Sequence, residues 1–181
     1  MVHYFLILMT LINSKQNSNI IFEFNADCAI ESWQVVDDVV MGGMSFGQCS
    51  LNEDGNGLFK GDVSIENNGG FSSIRLNTKP IQTASFEAIV LRIKGDGSTF
   101  QFRVKRSTYE RHSYVFNFET SGQWETISIP LNQMTPRFRG YSLDLPNFDQ
   151  EPIEQLGFLK ASKKNTSKSQ WKIGCFSRQL D

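Results

Sequence analysis

From Asn19 onward, short runs of alternating apolar and polar residues are cut by Gly, Asn, Asp or Pro at roughly eight- to twelve-residue intervals. No stretch sustains a helical period for three turns, so the chain reads as all-β. Strands are expected at Ile20–Phe24, Trp33–Val36, Phe46–Leu51, Leu58–Ile65, Phe71–Leu76, Ala88–Lys94, Thr99–Arg106, Ser113–Phe118, Glu125–Ile129, Leu156–Lys160 and Gln170–Phe176. Pro130, Pro136, Pro146 and Pro152 crowd one long connection, which is read as irregular and carries Arg137, Phe138, Arg139 and Tyr141. Long ordered loops of this kind are often functional.

Two of the cuts stand apart. Asp37-Asp38-Val39-Val40-Met41-Gly42-Gly43-Met44-Ser45 and Glu66-Asn67-Asn68-Gly69-Gly70-Phe71 each end a polar turn in a glycine pair that runs straight into a strand. Adjacent glycines are entropically unfavourable, so both places are expected to need positive φ or close backbone approach. Asp37 and Asp38, as neighbours on extended chain, point to opposite sides, which argues against a paired-carboxylate acid and base. One of them is expected to cap the glycine turn.

The chain's 181 residues, 39% of them hydrophobic, suffice for one domain with a real core, placed at residues 19–181. Eighteen Lys plus Arg against nineteen Asp plus Glu leave no global field to recruit nucleic acid or an anionic membrane. Residues 1–18 hold an apolar run, Tyr4–Ile12, too short to span a bilayer as a helix. It fits either the core of an export signal, which would make the protein exported or periplasmic, or an edge strand or buried N-terminal arm of a cytoplasmic chain. Cys28, Cys49 and Cys175 form no zinc or redox spacing and read as small buried hydrophobes, although export would permit one bridge.

The segment Ile89–Val104 reads as a hairpin across Gly95-Asp96-Gly97-Ser98, pairing Ile93 with Phe100, Leu91 with Phe102 and Ile89 with Val104. Its other face would carry Val90, Arg92, Gln101, Arg103 and Lys105. Tyr114, Phe116 and Phe118 alternate likewise in the next run. The result is an aromatic core face and a basic, amide-rich face that could hold a planar or polyhydroxyl ligand, or simply meet solvent.

Catalysis finds little to build on. Of the two histidines, His3 lies in the N-terminal segment and His112 in a turn, where it reads as a surface residue without a G-x-S-x-G partner. No phosphate-binding glycine loop is present. Asn52–Gly57 imitates the start of an EF-hand, but Val63 stands where the closing Glu is needed, so a hairpin turn is expected and no metal ligand set is identified. The run Lys160–Lys168 reads as a solvated loop. Trp33 and Trp171 read as core, while Trp124 has the polar flanks of a sugar-stacking ring as well.

Beyond this the residues resemble the complex I intermediate-associated protein 30 family. Trp33, Val35, Asp37, Met41, Gly42, Gly43 and Ser45 match its first block, and Asn67–Phe71, Ser73 and Arg75 its second. Arg92, Gly95-Asp96-Gly97, Phe102-Arg103, Tyr114, Trp124 and Pro130-Leu131 extend the likeness from about Ile20 to Phe176. The resemblance implies a galactose-binding-domain-like jelly-roll β-sandwich without catalysis or cofactor. In mitochondrial members it implies a role in assembling respiratory complex I. The apolar N-terminus has no Arg and no basic amphipathic face, unlike a mitochondrial presequence, and points to a bacterial relative. The expected function is therefore docking of a protein partner, such as complex I subunits or assembly intermediates, with an exported carbohydrate-binding module as the alternative. The expected surface comprises Asp37, Asp38, Met41, Gly42, Gly43, Asn67, Asn68, Gly69 and Gly70 in the loops, with Arg75, Arg92, Gln101 and Arg103 beside them.

Overall fold

Alternation along each strand sends one set of side chains inward, and two sheets that face each other can bury both sets. The computed structural model, which describes residues 20–162 and the backbone of residues 167–179, has this arrangement. One sheet, A, runs β3 (Phe46–Leu51), β4 (Gly57–Val63), β13 (Ser167–Gln179), β6 (Ala88–Lys94), β9 (Glu125–Pro130), with β1 (Ile20–Phe22) paired to the far half of β13. The other, B, runs β11 (Tyr141–Ser142), β10 (Thr135–Phe138), β8 (Ser113–Glu119), β7 (Thr99–Lys105), β12 (Ile153–Ala161), β5 (Phe71–Ile81), β2 (Trp33–Asp37). All pairings are antiparallel. The fold is a jelly-roll β-sandwich.

The expected hairpin across Gly95–Ser98 is not formed. β6 pairs with β13 and β9 in sheet A, whereas β7 pairs with β12 and β8 in sheet B, so the loop crosses between sheets. Ile89, Leu91, Ile93, Phe100, Phe102 and Val104 are nevertheless all at most 1% exposed. They meet across the core instead of side by side. Alternation fixes which face of a strand is apolar, but it cannot distinguish a shared face from two faces opposed. The crossover is pinned from below: Gly97 N–H donates to Thr120 Oγ1 at 3.1 Å, Thr120 Oγ1 donates to the Ser98 carbonyl, and Lys160 Nζ reaches Ser98 Oγ. Lys160, read as part of a solvated run, is buried here, with its ammonium 4.4 Å from the Phe100 ring centroid and 3.7 Å from Asp96.

Two strands lie in the stretch read as irregular, β10 and β11. Pro136 is tolerated because β10 sits one strand from the sheet edge, paired with β8 and with only the two-residue β11 beyond it. Trp33 is core, stacked on Phe24 and edge-on to Phe22, whereas Trp124 is 37% exposed. Asn52–Gly57 closes the β3–β4 hairpin, with Asn56 N–H donating to Asn52 Oδ1 at 2.7 Å. Cys28 and Cys49 are half-buried free thiols packed against the core, and burial, with Cys28 alongside, pushes the Cys49 thiol up to about 11. His112 is half-buried rather than on the surface, edge-on to Tyr114. Residues 1–18, the side chains of Trp171 and Cys175, and the centre of the Lys160–Lys168 run lie outside the described residues. Among the described residues no helix is long and apolar enough to cross a membrane.

Candidate functional site

The two Gly-Gly loops are joined by one carboxylate. Asp38 is fully buried, and it accepts hydrogen bonds from Ser45 N–H (2.9 Å), Ser45 Oγ (2.5 Å), Gly70 N–H (2.6 Å) and Phe71 N–H (3.1 Å). Burial pushes its carboxyl pKa up, but the Ser45 hydroxyl and the amides of Gly70, Ser45 and Phe71 together hold it below the ordinary 3.8. Both glycine expectations are met within each pair. Gly42 and Gly70 have φ of 91° and 128°, while a Cβ on Gly43 or Gly69 would strike the Asp38 carboxylate. Asp37 makes a parallel link, accepting from Gly47 N–H at 2.9 Å and from Ser72 Oγ at 2.5 Å. Neither acid caps its own turn alone; each ties the start of β3 to the start of β5. Asn67 adopts a left-handed conformation, φ 54°, in the second loop. With Asp38 turned inward, the 3-10 turn Asp38–Met41 leaves Val39, Val40 and Met41 on the surface at 60%, 75% and 53% exposure.

Beside this knot, the outer face of sheet B forms a trough of about 840 Å³. Register sets its floor. Gly157 of β12 stands opposite Arg75 of β5 on one side and Arg103 of β7 on the other. A Cβ on Gly157 would run into the Ile74 carbonyl, so no side chain rises between the two guanidiniums. The next row places Leu159 between Ser73 and Gln101, with Asn117 beyond on β8. Arg103 donates from Nε and Nη2 to Gln101 Oε1 at 3.1 and 2.7 Å. Burial, then Arg75 and Arg137 nearby, brings the Arg103 pKa down to about 10; burial also lowers Arg75. Burial, then Arg75, lowers Lys105.

One end of the trough is formed by the Arg111 turn and the β10–β11 hairpin, where the guanidiniums of Arg111 and Arg139 lie 5.1 and 5.4 Å from the Phe138 ring centroid. The other end is walled by Val40 and Met41 of the first Gly-Gly loop. Of the residues expected from sequence, Met41, Gly69, Gly70, Arg75, Gln101 and Arg103 line the trough. Asp37, Asp38, Gly42, Gly43 and Asn67 hold the loops beside it, and the Asn68 side chain is outside the described residues. Arg92 is not brought to it: on sheet A, exposed, it lies over Trp124 at 5.8 Å. Lys105, on the basic face expected from alternation, also lines the trough, as do Arg137 and Arg139 of the proline-rich connection read as a functional loop, where the Arg-Phe-Arg triplet was the sequence signal. Arg111 enters the site without having been expected there. No group of three or more His, Cys, Asp or Glu among the described residues could hold a metal ion.

The family model described as Complex I intermediate-associated protein 30 matches residues 22–173. The chain belongs to that family. No curated protein matches the sequence. Among solved structures, the CIA30 chain is similar to a family 11 carbohydrate-binding module of the cellulosomal cellulase Lic26A-Cel5E of Clostridium thermocellum, at 12% identity and a TM-score of 0.70, covering 93% of this chain and 97% of that one. A family 11 module from the same organism, in complex with a β-1,3-1,4-mixed-linked tetrasaccharide, is 14% identical with a TM-score of 0.68 over 90% and 95%. An agarase, AgWH50C, is matched over 25% of its own chain, at 10% identity and a TM-score of 0.60. At these identities the likeness is one of fold.

Proposed function

We propose that this CIA30 domain is a non-enzymatic binding domain that docks a protein partner on the trough of sheet B and the adjoining first Gly-Gly loop, in an assembly or chaperone role. The observation that carries the reading is the composition of the trough. It gathers fixed donors, Arg75, Gln101 and Arg103, beside the exposed apolar residues Val40 and Met41. Mixed surfaces of this kind suit protein ligands, with arginine forks giving orientation and Met or Val giving adaptable contact. No nucleophile and base are paired there. Subunits or assembly intermediates of a respiratory complex are the partner class that the family description suggests. Affinity capture with the full chain tests this. The partner should be retained by Arg92→Gln, on the far sheet, and lost by the double variant Arg75→Gln/Arg103→Gln; equal capture by both sinks the reading.

A second reading, an exported glycan-binding module, rests on the fold shared with the family 11 carbohydrate-binding modules. It expects binding to a soluble mixed-linked β-glucan that Arg103→Ala weakens, with no dependence on Val40 or Met41.

A further inference from the structure

The trough collects cations in an unbalanced way. Arg75, Arg103, Lys105, Arg111, Arg137 and Arg139 line it, and among the described residues no Asp or Glu does. Among the described residues the ion pairs are Arg106–Glu110 and Lys160–Asp96, so none of the five trough arginines has a carboxylate partner. Arg137 Nε is buried without a hydrogen-bond partner, and Lys105 Nζ donates to a backbone carbonyl, that of Glu110, at 2.6 Å. With a formal net charge of -1 for the whole chain, this is a local field focused on one concavity and not a general basic character.

The backbone supplies an independent observation. Phe138 pairs with Tyr141, leaving Arg139-Gly140 as a two-residue hairpin loop, and both residues have positive φ, 50° and 84°. A loop with two positive φ angles favours Asn-Gly or Gly-Gly, because a long side chain with a Cβ is strained in the left-handed region. Arg139 occupies that strained position and presents a further guanidinium at the trough end. Local strain of this kind persists where the surroundings hold it, and at Arg139 it coincides with the trough end.

Resting on the reading that the trough is the binding surface, we propose that its occupant is an acidic, amphipathic peptide segment. Carboxylates would be taken by the arginine floor and by Arg137 and Arg139 of the β10–β11 hairpin, and apolar side chains by Val40 and Met41. The five strands from β2 to β8 that floor the trough span roughly 19 Å at about 4.8 Å per step, the length of about six extended residues. A neutral sugar fits less well. Phe138 already carries two guanidiniums, Trp33 is buried and Trp124 lies beside Arg92 of sheet A, so the exposed ring of Tyr141, opposite Phe138 at the trough end, is the main stacking surface a sugar would find. An acidic polysaccharide would meet the cations but offer nothing to Val40 and Met41.

The test is fluorescence anisotropy with the full-length chain and a fluorescein-labelled peptide of about six residues alternating Glu and Val, a length taken from the span above. Controls are the same peptide with Gln for Glu, polygalacturonate, and mixed-linked β-glucan. The Glu peptide should bind, weaken steeply with salt, and lose at least about tenfold in affinity with Arg103→Gln or Arg137→Gln, each checked for an unchanged circular dichroism spectrum. Arg139→Asn should raise Tm by roughly 2 °C while weakening the peptide, the opposite signs expected if strain is held for binding. Equal affinity for the Gln peptide overturns the acidic occupant but leaves the trough as the binding surface, as does tighter binding of polygalacturonate or of the glucan. Binding of every probe unaffected by Arg75→Gln/Arg103→Gln, or no binding at all, removes the trough reading itself.

Discussion

Asp38 illustrates how much one side chain can decide. Its carboxylate satisfies three backbone amides and a hydroxyl from segments seven to thirty-three residues away, and both Gly-Gly pairs are shaped around it. Asp38→Asn would turn a donor toward donors in a fully buried site, so a loss of roughly 2–4 kcal/mol of stability is expected in urea unfolding. The pH response follows from the same contacts. Because the folded-state pKa lies below 3.8, the stabilisation is complete above that value and fades as pH falls through the folded pKa. The asparagine variant should lack this part of the acid limb; an unchanged limb would assign acid sensitivity to other groups. The two glycines of the first loop should also separate. Gly42 needs only its left-handed φ and has open space, so Gly42→Asn is expected to change stability by less than about 1 kcal/mol. Gly43→Ala, pressing on the Asp38 carboxylate, should cost several times more.

At the scale of elements, the sequence carried strand positions well and partners poorly. All eleven expected strands exist, and Phe46–Leu51 and Ala88–Lys94 match to the residue, because alternation between turn residues is a local signal. Pairing is not local, and the β6–β7 segment was assigned to one sheet because both of its apolar sets face the same core. Proline hid β10, although Arg137 and Arg139 were visible as an unusual pair. The glycine pairs were legible as backbone requirements, and one of Asp37 and Asp38 as the acid beside them, while the reach of Asp38 into the second loop was not, since Gly70 and Phe71 lie beyond two intervening strands. The crossover that replaces the hairpin yields its own prediction. Lys160 supports it from β12, and burial, opposed by Asp96, lowers its pKa from 10.5. The ammonium is therefore less favourable in the folded chain than in the unfolded one, and the wild type gains stability as pH rises from the folded pKa toward 10.5. Lys160→Met, which keeps the packing on Phe100, should be at least as stable as the wild type at pH 7, with the difference shrinking on approach to pH 10. Thermal scans at the two pH values decide it: a strongly destabilised variant at pH 7 would make the Asp96 and Ser98 contacts the dominant effect.

At the scale of the whole molecule, a chain with a formal net charge of -1 gathers Arg75, Arg103, Lys105, Arg111, Arg137 and Arg139 in one trough on sheet B. Burial first, and then the Arg75 and Arg137 guanidiniums, lower the Arg103 pKa, so the folded state carries a repulsion among these cations that the unfolded chain does not. Screening should relieve it. The Debye length falls from about 30 Å at 0.01 M salt to about 8 Å at 0.15 M, while the described residues contain just two ion pairs whose weakening would act in the other direction. Sodium chloride is therefore expected to raise Tm by roughly 2–4 °C across that range. Arg103→Gln should be more stable than the wild type at low salt and respond less to added salt, because one member of a mutually repelling group is gone. Arg92→Gln, on the exposed face of sheet A, should keep the full response. A Tm that is flat or falling with salt in the wild type, or an Arg103→Gln curve that overlays it, would show that solvent already screens the cluster, and the repulsion assigned to the trough would have to be given up.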